Sequence, residues 1–252
     1  MKISIITPTL NHARFIEDTI LSVLQQDYKD YEHIVIDGGS TDGTVEILKK
    51  YPHLKWISEK DSGQSAAINK GFKMTTGDIL TWINSDDWYD KGALSVVAGC
   101  FRDHSDCFVV YGDQTDVDEY KNIIGTRTGD TMSLRSLLKN PDIVRQPVCF
   151  WRKEVTDSAG YLDESLHLVM DYEYFLRIAK RYAFRHVSRN LCFFRMYKSA
   201  KTSTLAKKQV QEIYQVMKKE SGGFPFRFYL VMMRRYYNAL KRVIYNAMRV
   251  CT

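Results

Sequence analysis

The chain has no CxxC pair among its five cysteines, no long apolar run, no internal repeat and no low-complexity tract. Each absence excludes something. Cys100, Cys107, Cys149, Cys192 and Cys251 are not spaced as zinc ligands, and four of them sit in apolar runs, as reduced, buried thiols do. No apolar segment approaches the roughly 18 residues of a spanning helix. The opening stretch Met1–Pro8 is too short, and too soon broken by proline, for a signal peptide. These features predict a protein of the cytoplasmic side. There is also no GxGxxG fingerprint and no glycine loop ending in GK[ST], which removes the two commonest phosphate-cradling motifs.

Carboxylates are missing altogether from Phe224 to Thr252, where Arg227, Arg234, Arg235, Lys241, Arg242 and Arg249 stand. Six of the 36 basic residues lie there, so the other 30 balance the 30 acidic ones, and the formal charge of +6 belongs to the tail. A neutral body with a basic tail lacks the broad basic groove of a nucleic-acid-binding protein. With 44% hydrophobic and 26% charged residues over 252 positions, the chain can build one large α/β domain with a short appendage.

In the first half, strand and helix signals alternate. Ile3–Thr7, Glu32–Asp37, Leu54–Ser58 and Asp78–Asn84 read as strands; Ile16–Leu24, Thr44–Lys50 and Ser65–Thr75 carry helical spacing. Such alternation predicts a mostly parallel central sheet flanked by helices, with ligands beyond the carboxyl ends of its strands. Polar residues fall at those four strand ends: Pro8–Asn11, Asp37, Asp61 and Ser85-Asp86-Asp87. The second half is more mixed. Strands are predicted at Phe108–Gly112 and Phe184–Arg195, a buried apolar stretch at Pro147–Trp151, and helices at Ser133–Lys139, Asp171–Arg181 and Thr204–Glu220.

Four constellations carry chemistry. In Asn84-Ser85-Asp86-Asp87, adjacent carboxylates repel unless a cation relieves them, so the pair reads as a Mn²⁺ or Mg²⁺ site or as a plain turn and helix cap. Neighbours in extended chain point opposite ways, which predicts a division of labour, Asp87 on the metal and Asp86 nearer a ribose or bridging through water. Asp37-Gly38-Gly39-Ser40-Thr41-Asp42-Gly43-Thr44 places an acid and glycines at a strand end, suited to a nucleoside or to a capped turn. Asp61 to Gly71 opens a helix whose N-terminus and Lys70 suit a diphosphate, or forms an ordinary surface helix. Asp171, at a helix start among apolar residues, suits a base of tuned pKa or a dipole-favoured acid.

Together these segments resemble the family 2 glycosyltransferases. The residues that carry the resemblance are Ile5–Asn11, Val35–Thr44, Ser58–Asp61, Ala67–Gly71, Asn84–Tyr89, Gln146-Pro147, Gly160–Glu164, and Asp171-Tyr172 with Arg177. The resemblance implies the GT-A fold: a Rossmann-like nucleotide-sugar half over 1–113 and an acceptor half over 114–220. It implies an inverting, metal-dependent transfer of a hexose from a nucleotide-diphospho-sugar, UDP favoured, to a saccharide or lipid-linked hydroxyl in cell-surface polysaccharide assembly. Pro8, Thr9, Asn11, Asp37, Asp61, Asn69, Lys70, Asn84, Ser85 and Asp86 would line the nucleotide site. Asp87 with Asp86 would hold Mn²⁺ or Mg²⁺, and Asp171 would be the catalytic base. Arg195-Met196-Tyr197 stands where many relatives carry Arg-x-His. A nucleotidyltransferase would carry a glycine-rich loop after the first strand, and the run after Ile6 has none. A nucleotide-sugar-binding module without turnover is the non-enzyme alternative.

The tail, 224–252, reads as a basic amphipathic helix, with Tyr229, Met233, Tyr236, Leu240, Ile244 and Ala247 opposite the cations. It suits the inner face of an anionic membrane, or packing on the body or on a second copy in a homodimer.

Overall fold

The computed structural model of the chain describes residues 1–129, 131–200, 205–222, 226 and 228–233. It confirms the GT-A-type α/β architecture: one sheet of nine strands flanked by helices. Its order is β3-β2-β1-β4-β8-β6-β9-β5, with β7 paired to β6. The strands are β1 (Ile3–Thr9), β2 (Tyr31–Asp37), β3 (Leu54–Ser58), β4 (Ile79–Trp82), β5 (Trp88–Tyr89), β6 (Val109–Val117), β7 (Ile123–Arg127), β8 (Cys149–Arg152) and β9 (Phe184–Arg195). From β3 to β4 all pairs are parallel; beyond β4 they are mixed, with β8 antiparallel to β4 and β6. The reversal at β8 brings its first residue, Cys149, level with the carboxyl end of β4 and so onto the rim where the first three loops end.

The helices are α1 (Ile16–Leu24), α2 (Thr44–Leu48), α3 (Gln64–Met74), α4 (Ala93–Asp103), α5 (Leu134–Lys139), α6 (Lys153–Ala159), α7 (Met170–Ala179) and α8 (Ala206–Ser221). In α1, Ile16, Thr19, Ile20 and Val23 recur every three or four residues and are buried against β2 and β4. α3 covers the opposite face at very short range. A Cβ at Gly71 would lie 2.4 Å from Ile6 Cγ2, so only glycine lets the helix approach β1 this closely.

The largest apolar cluster joins Trp82, Trp151, Phe72, Tyr174 and Phe175. Trp82 stacks on Phe175 with ring centroids 6.0 Å apart, so the end of β4 is packed directly on α7. Helix α8 adds Ile213, Val216 and Met217 to this cluster. Residues 228–233 are helical and bury Phe228 and Val231 in it, while Phe226, Tyr229, Leu230 and Met233 are exposed. The remainder of the expected basic helix lies outside the described residues, as does Cys251. Cys107, Cys149 and Cys192 are buried free thiols, as anticipated.

Near the start of β2, at the end away from the site, Glu32 is 4% exposed and bonded to Lys2, Lys55, Ser4 and Thr76. Burial alone would raise its pKa, but the bonds from Lys55, Ser4 and Thr76 outweigh it and hold the carboxyl at about 2. Its folded-state pKa is depressed, so this stability is present above the unfolded value near 4.5 and is lost as pH falls toward 2. Glu32→Gln should therefore lower stability at pH 7 by on the order of 1–3 kcal/mol, discounted because Lys55 is half exposed. Urea unfolding at pH 7 and pH 3 checks it: the gap between the two proteins should shrink at the lower pH.

Candidate functional site

Four chain segments end on one rim. β1 runs out through Pro8 and Thr9, both buried; the Thr9 hydroxyl has no hydrogen-bond partner among the described residues. Asn11 follows with φ of +54°, a left-handed turn that asparagine tolerates, and its Oδ1 accepts from the Thr41 amide at 2.9 Å. At the end of β2, Asp37 is fully buried. Its carboxylate accepts from the amides of Gly39 (3.2 Å) and Ser40 (3.0 Å), from Ser58 Oγ (2.6 Å) and from Ser40 Oγ, so it shapes the glycine turn that follows. Asp61 lies over that turn: a Cβ on Gly38 would come within 2.9 Å of its Oδ2. Glycine at 38 is what lets the two acids share the rim.

The segment after β4 is the most polar. Asn84 Oδ1 accepts from Gln64 Nε2 (2.8 Å), and Ser85 Oγ lies 2.7 Å from His12 Nδ1. Asp87 is 1% exposed. One oxygen accepts from the Arg195 amide at 2.9 Å, and the other, Oδ2, has no hydrogen-bond partner among the described residues. Burial first, then the Asp86 carboxylate, push its pKa well above the usual range, against the Arg195 amide and guanidinium and the Asn84 amide. An orphaned buried oxygen beside a second carboxylate is the arrangement a divalent cation relieves. No cluster of three His, Cys, Asp or Glu side chains occurs among the described residues, so the remaining ligands of such a cation would be phosphate oxygens and water.

Arg195, at the end of β9, is the keystone that sequence reasoning did not assign. Its side chain is 2% exposed and sits against the rings of Phe15 (4.4 Å) and Trp88 (4.8 Å). It donates to the Asp86 carbonyl (2.9 Å), the Glu119 carbonyl (3.2 Å) and Asp18 Oδ2 (2.7 Å). Tyr197, two residues on, donates to Asp86 Oδ2 at 2.8 Å, and burial and Asp86 hold its phenol protonated. Tyr197 thus fixes the orientation of Asp86.

Asp171 opens α7 close to Cys149, whose thiol pKa is raised by burial first and then by the Asp171 carboxylate. The Gln146 amide bonds the Trp82 carbonyl, tying this side of the rim to β4. Burial raises the Asp171 pKa to about 6; the amide of Tyr172, at 2.8 Å, opposes the shift. The helix start is itself held by Glu212 of α8, a carboxylate 4% exposed that accepts from the amides of His167 (3.1 Å), Leu168 (2.8 Å) and Val169 (3.2 Å). No sequence signal marks Glu212, because its partners lie more than 40 residues away.

Two expected nucleotide-site residues make bonds within the fold. Both ends of the Asn69 amide are taken by the Leu162 backbone (2.9 and 3.0 Å) and Glu164 (2.9 Å), which tie α3 to the loop before α7. Lys70 pairs with Glu59, so its charge is already matched. Motif order places both residues near a nucleotide, and these bonds fix where α3 presents them.

The model of glycosyl transferase family 2 matches residues 4–160. The chain belongs to that family. This family 2 member is 26% identical over 205 residues to the chondroitin synthase of Escherichia coli, covering 80% of this chain but only 30% of that protein. The S. aureus TarS 1–349 structure in complex with UDP-GlcNAc superposes with a TM-score of 0.72 at 21% identity, over 86% of this chain and 65% of that one. A mannosyltransferase from Pyrobaculum calidifontis in complex with GDP-Man and Mn²⁺ gives 0.66 at 19% identity, over 93% and 69%. At these identities the two structures establish the fold. Among the described residues, no helix of the family 2 chain is long and apolar enough to cross a membrane.

Proposed function

We propose that this chain is an inverting glycosyltransferase that moves a hexose from a nucleotide-diphospho-sugar, UDP favoured, to a hydroxyl of a saccharide or lipid-linked acceptor in cell-surface polysaccharide assembly. What supports the reading is that Asp37 ends, and the Asp86–Asp87 pair follows, the two parallel strands that flank β1, and that Asp171 lies near Cys149 opposite the end of β4, with its pKa raised to about 6. The TarS complex with UDP-GlcNAc and the chondroitin synthase relative support the donor and product classes.

In this reading residues 1–113 bind the donor and 114–220 the acceptor. Pro8, Thr9, Asn11, Asp37 and Asp61 form the nucleoside wall, with Asn84, Ser85 and Asp86 beside the ribose. Asp87 Oδ2 and Asp86 would hold Mn²⁺ or Mg²⁺, as the Mn²⁺ complex of the mannosyltransferase supports. The cation supplies charge neutralisation for the departing diphosphate. Arg195 and Tyr197 keep the two carboxylates in register. Asp171 removes the acceptor proton as the hydroxyl attacks the anomeric carbon, in one displacement that inverts it. Intact Asp87 and Asp171 argue against a binding module without turnover.

A thermal-shift panel of UDP- and GDP-sugars with and without Mn²⁺ tests the proposal. UDP-sugars should raise the melting temperature only with the metal, and no shift with any of them would sink it. The exposed Phe226, Tyr229, Leu230 and Met233, next to six cations without a carboxylate, support peripheral contact with an anionic membrane. Flotation on anionic vesicles should separate the full chain from a form ending at residue 233, which keeps Phe228 and Val231 seated but loses five of the six cations; equal flotation removes the electrostatic part of this contact.

A further inference from the structure

The loops after β1 and β2 are zipped together. The Asn11 amide donates to Ser40 Oγ (2.7 Å), the Ala13 amide to Asp42 Oδ2 (2.9 Å) and the His12 amide to Thr44 Oγ1 (3.1 Å). His12 also reaches a third loop. Its Nδ1 lies 2.7 Å from the hydroxyl of buried Ser85, the residue before Asp86. The ring is only partly buried and stands edge-on to Phe15, with centroids 6.4 Å apart. Backbone, Nδ1 and one ring edge are therefore fixed, while Nε2 has no hydrogen-bond partner among the described residues.

We infer that His12 is a donor-binding residue whose Nε2 gives a hydrogen bond to an oxygen of the bound nucleoside diphosphate. The inference deepens the donor site proposed above and rests on it. Ser85 Oγ can donate to Nδ1, which leaves the hydrogen of the neutral ring on Nε2. That N–H stands where the glycine turn bearing Asp37 meets the tip bearing Asp86 and Asp87. A nucleotide bridging those two loops passes this junction, and phosphate oxygens are the acceptors it would bring there. A ring that served only to brace the three loops would need its Nδ1 bond and nothing more.

Two amides separate these roles. Asparagine places its polar atoms near Nδ1 and keeps the brace; glutamine reaches the position of Nε2 and keeps the outer donor. UDP and GDP titrations by calorimetry in Mn²⁺, on wild type, His12→Gln and His12→Asn, with a melting curve for each free protein, give the answer. Wild type should bind one of the two nucleotides, His12→Gln should stay within about threefold of it, and His12→Asn should bind roughly tenfold weaker while melting no lower than His12→Gln. Equal affinity in the two variants, or retention by His12→Asn alone, overturns the inference. If wild type takes up neither nucleotide, the donor reading itself fails and His12 falls with it.

Discussion

Asp171→Asn should lose about 10²–10⁴-fold in sugar transfer while binding donor as wild type does, the range expected when a positioned base is removed. The amide keeps the shape of the carboxylate and its acceptor for the Tyr172 amide, so the rim stays folded. The variant should also be the more stable protein above pH 6. Asp171 has a folded-state pKa of about 6 against an ordinary 3.8, so the folded chain holds more protons than the unfolded one between those values. Stability then falls as pH rises through that window, by on the order of 1–3 kcal/mol that asparagine does not lose. Wild-type transfer should follow the deprotonated form, rising with pH to half its maximum near 6. Initial rates from pH 5 to 8 and paired melting curves check both parts; near-normal turnover in the variant would remove Asp171 from its role.

Asp87→Asn should abolish the metal-dependent part of donor binding. The acceptor for the Arg195 amide survives in asparagine, so the tip keeps its anchor. What is lost is the anionic oxygen that has no internal partner among the described residues. Loss of a direct ligand should weaken Mn²⁺-dependent UDP affinity by at least about 100-fold, since even indirect supports of a metal site cost 10–100-fold. Calorimetry with and without Mn²⁺ reads it: wild type should gain affinity from the metal and the variant should not. An equal metal response in both would take Asp87 out of the site.

The parallel half of the fold was legible because its signals are local. Ile3–Thr7, Leu54–Ser58 and the helical spacing of Ile16, Ile20 and Val23 each declare their element within a few residues, and the structure places them within two residues of expectation. α4 went unread because Gly92, at φ of +78°, starts it without a capping side chain. β5 is two residues long and exists only because β9 pairs with it. The acids at strand ends were legible from alternation and motif order. Arg195, Glu212 and His12 were not, since each is defined by partners 32 to 177 residues away, and nothing in a linear pattern reports such contacts. Asn69 is a motif position whose amide also ties α3 to Leu162 and Glu164, contacts that no linear pattern reports.

The dependence of the acidic tip on Arg195 sets an order of assembly. β1 to β4 can pair as a parallel unit from the first third of the chain, and Asp86 and Asp87 belong to that unit in sequence. Yet the amide and guanidinium that hold them arrive with the last residue of β9, 109 positions later. A chain interrupted before that strand would own Asp86 and Asp87 and lack the Arg195 groups that hold them. In the proposed reading, the metal-holding tip is complete only once the final strand lies between β6 and β5.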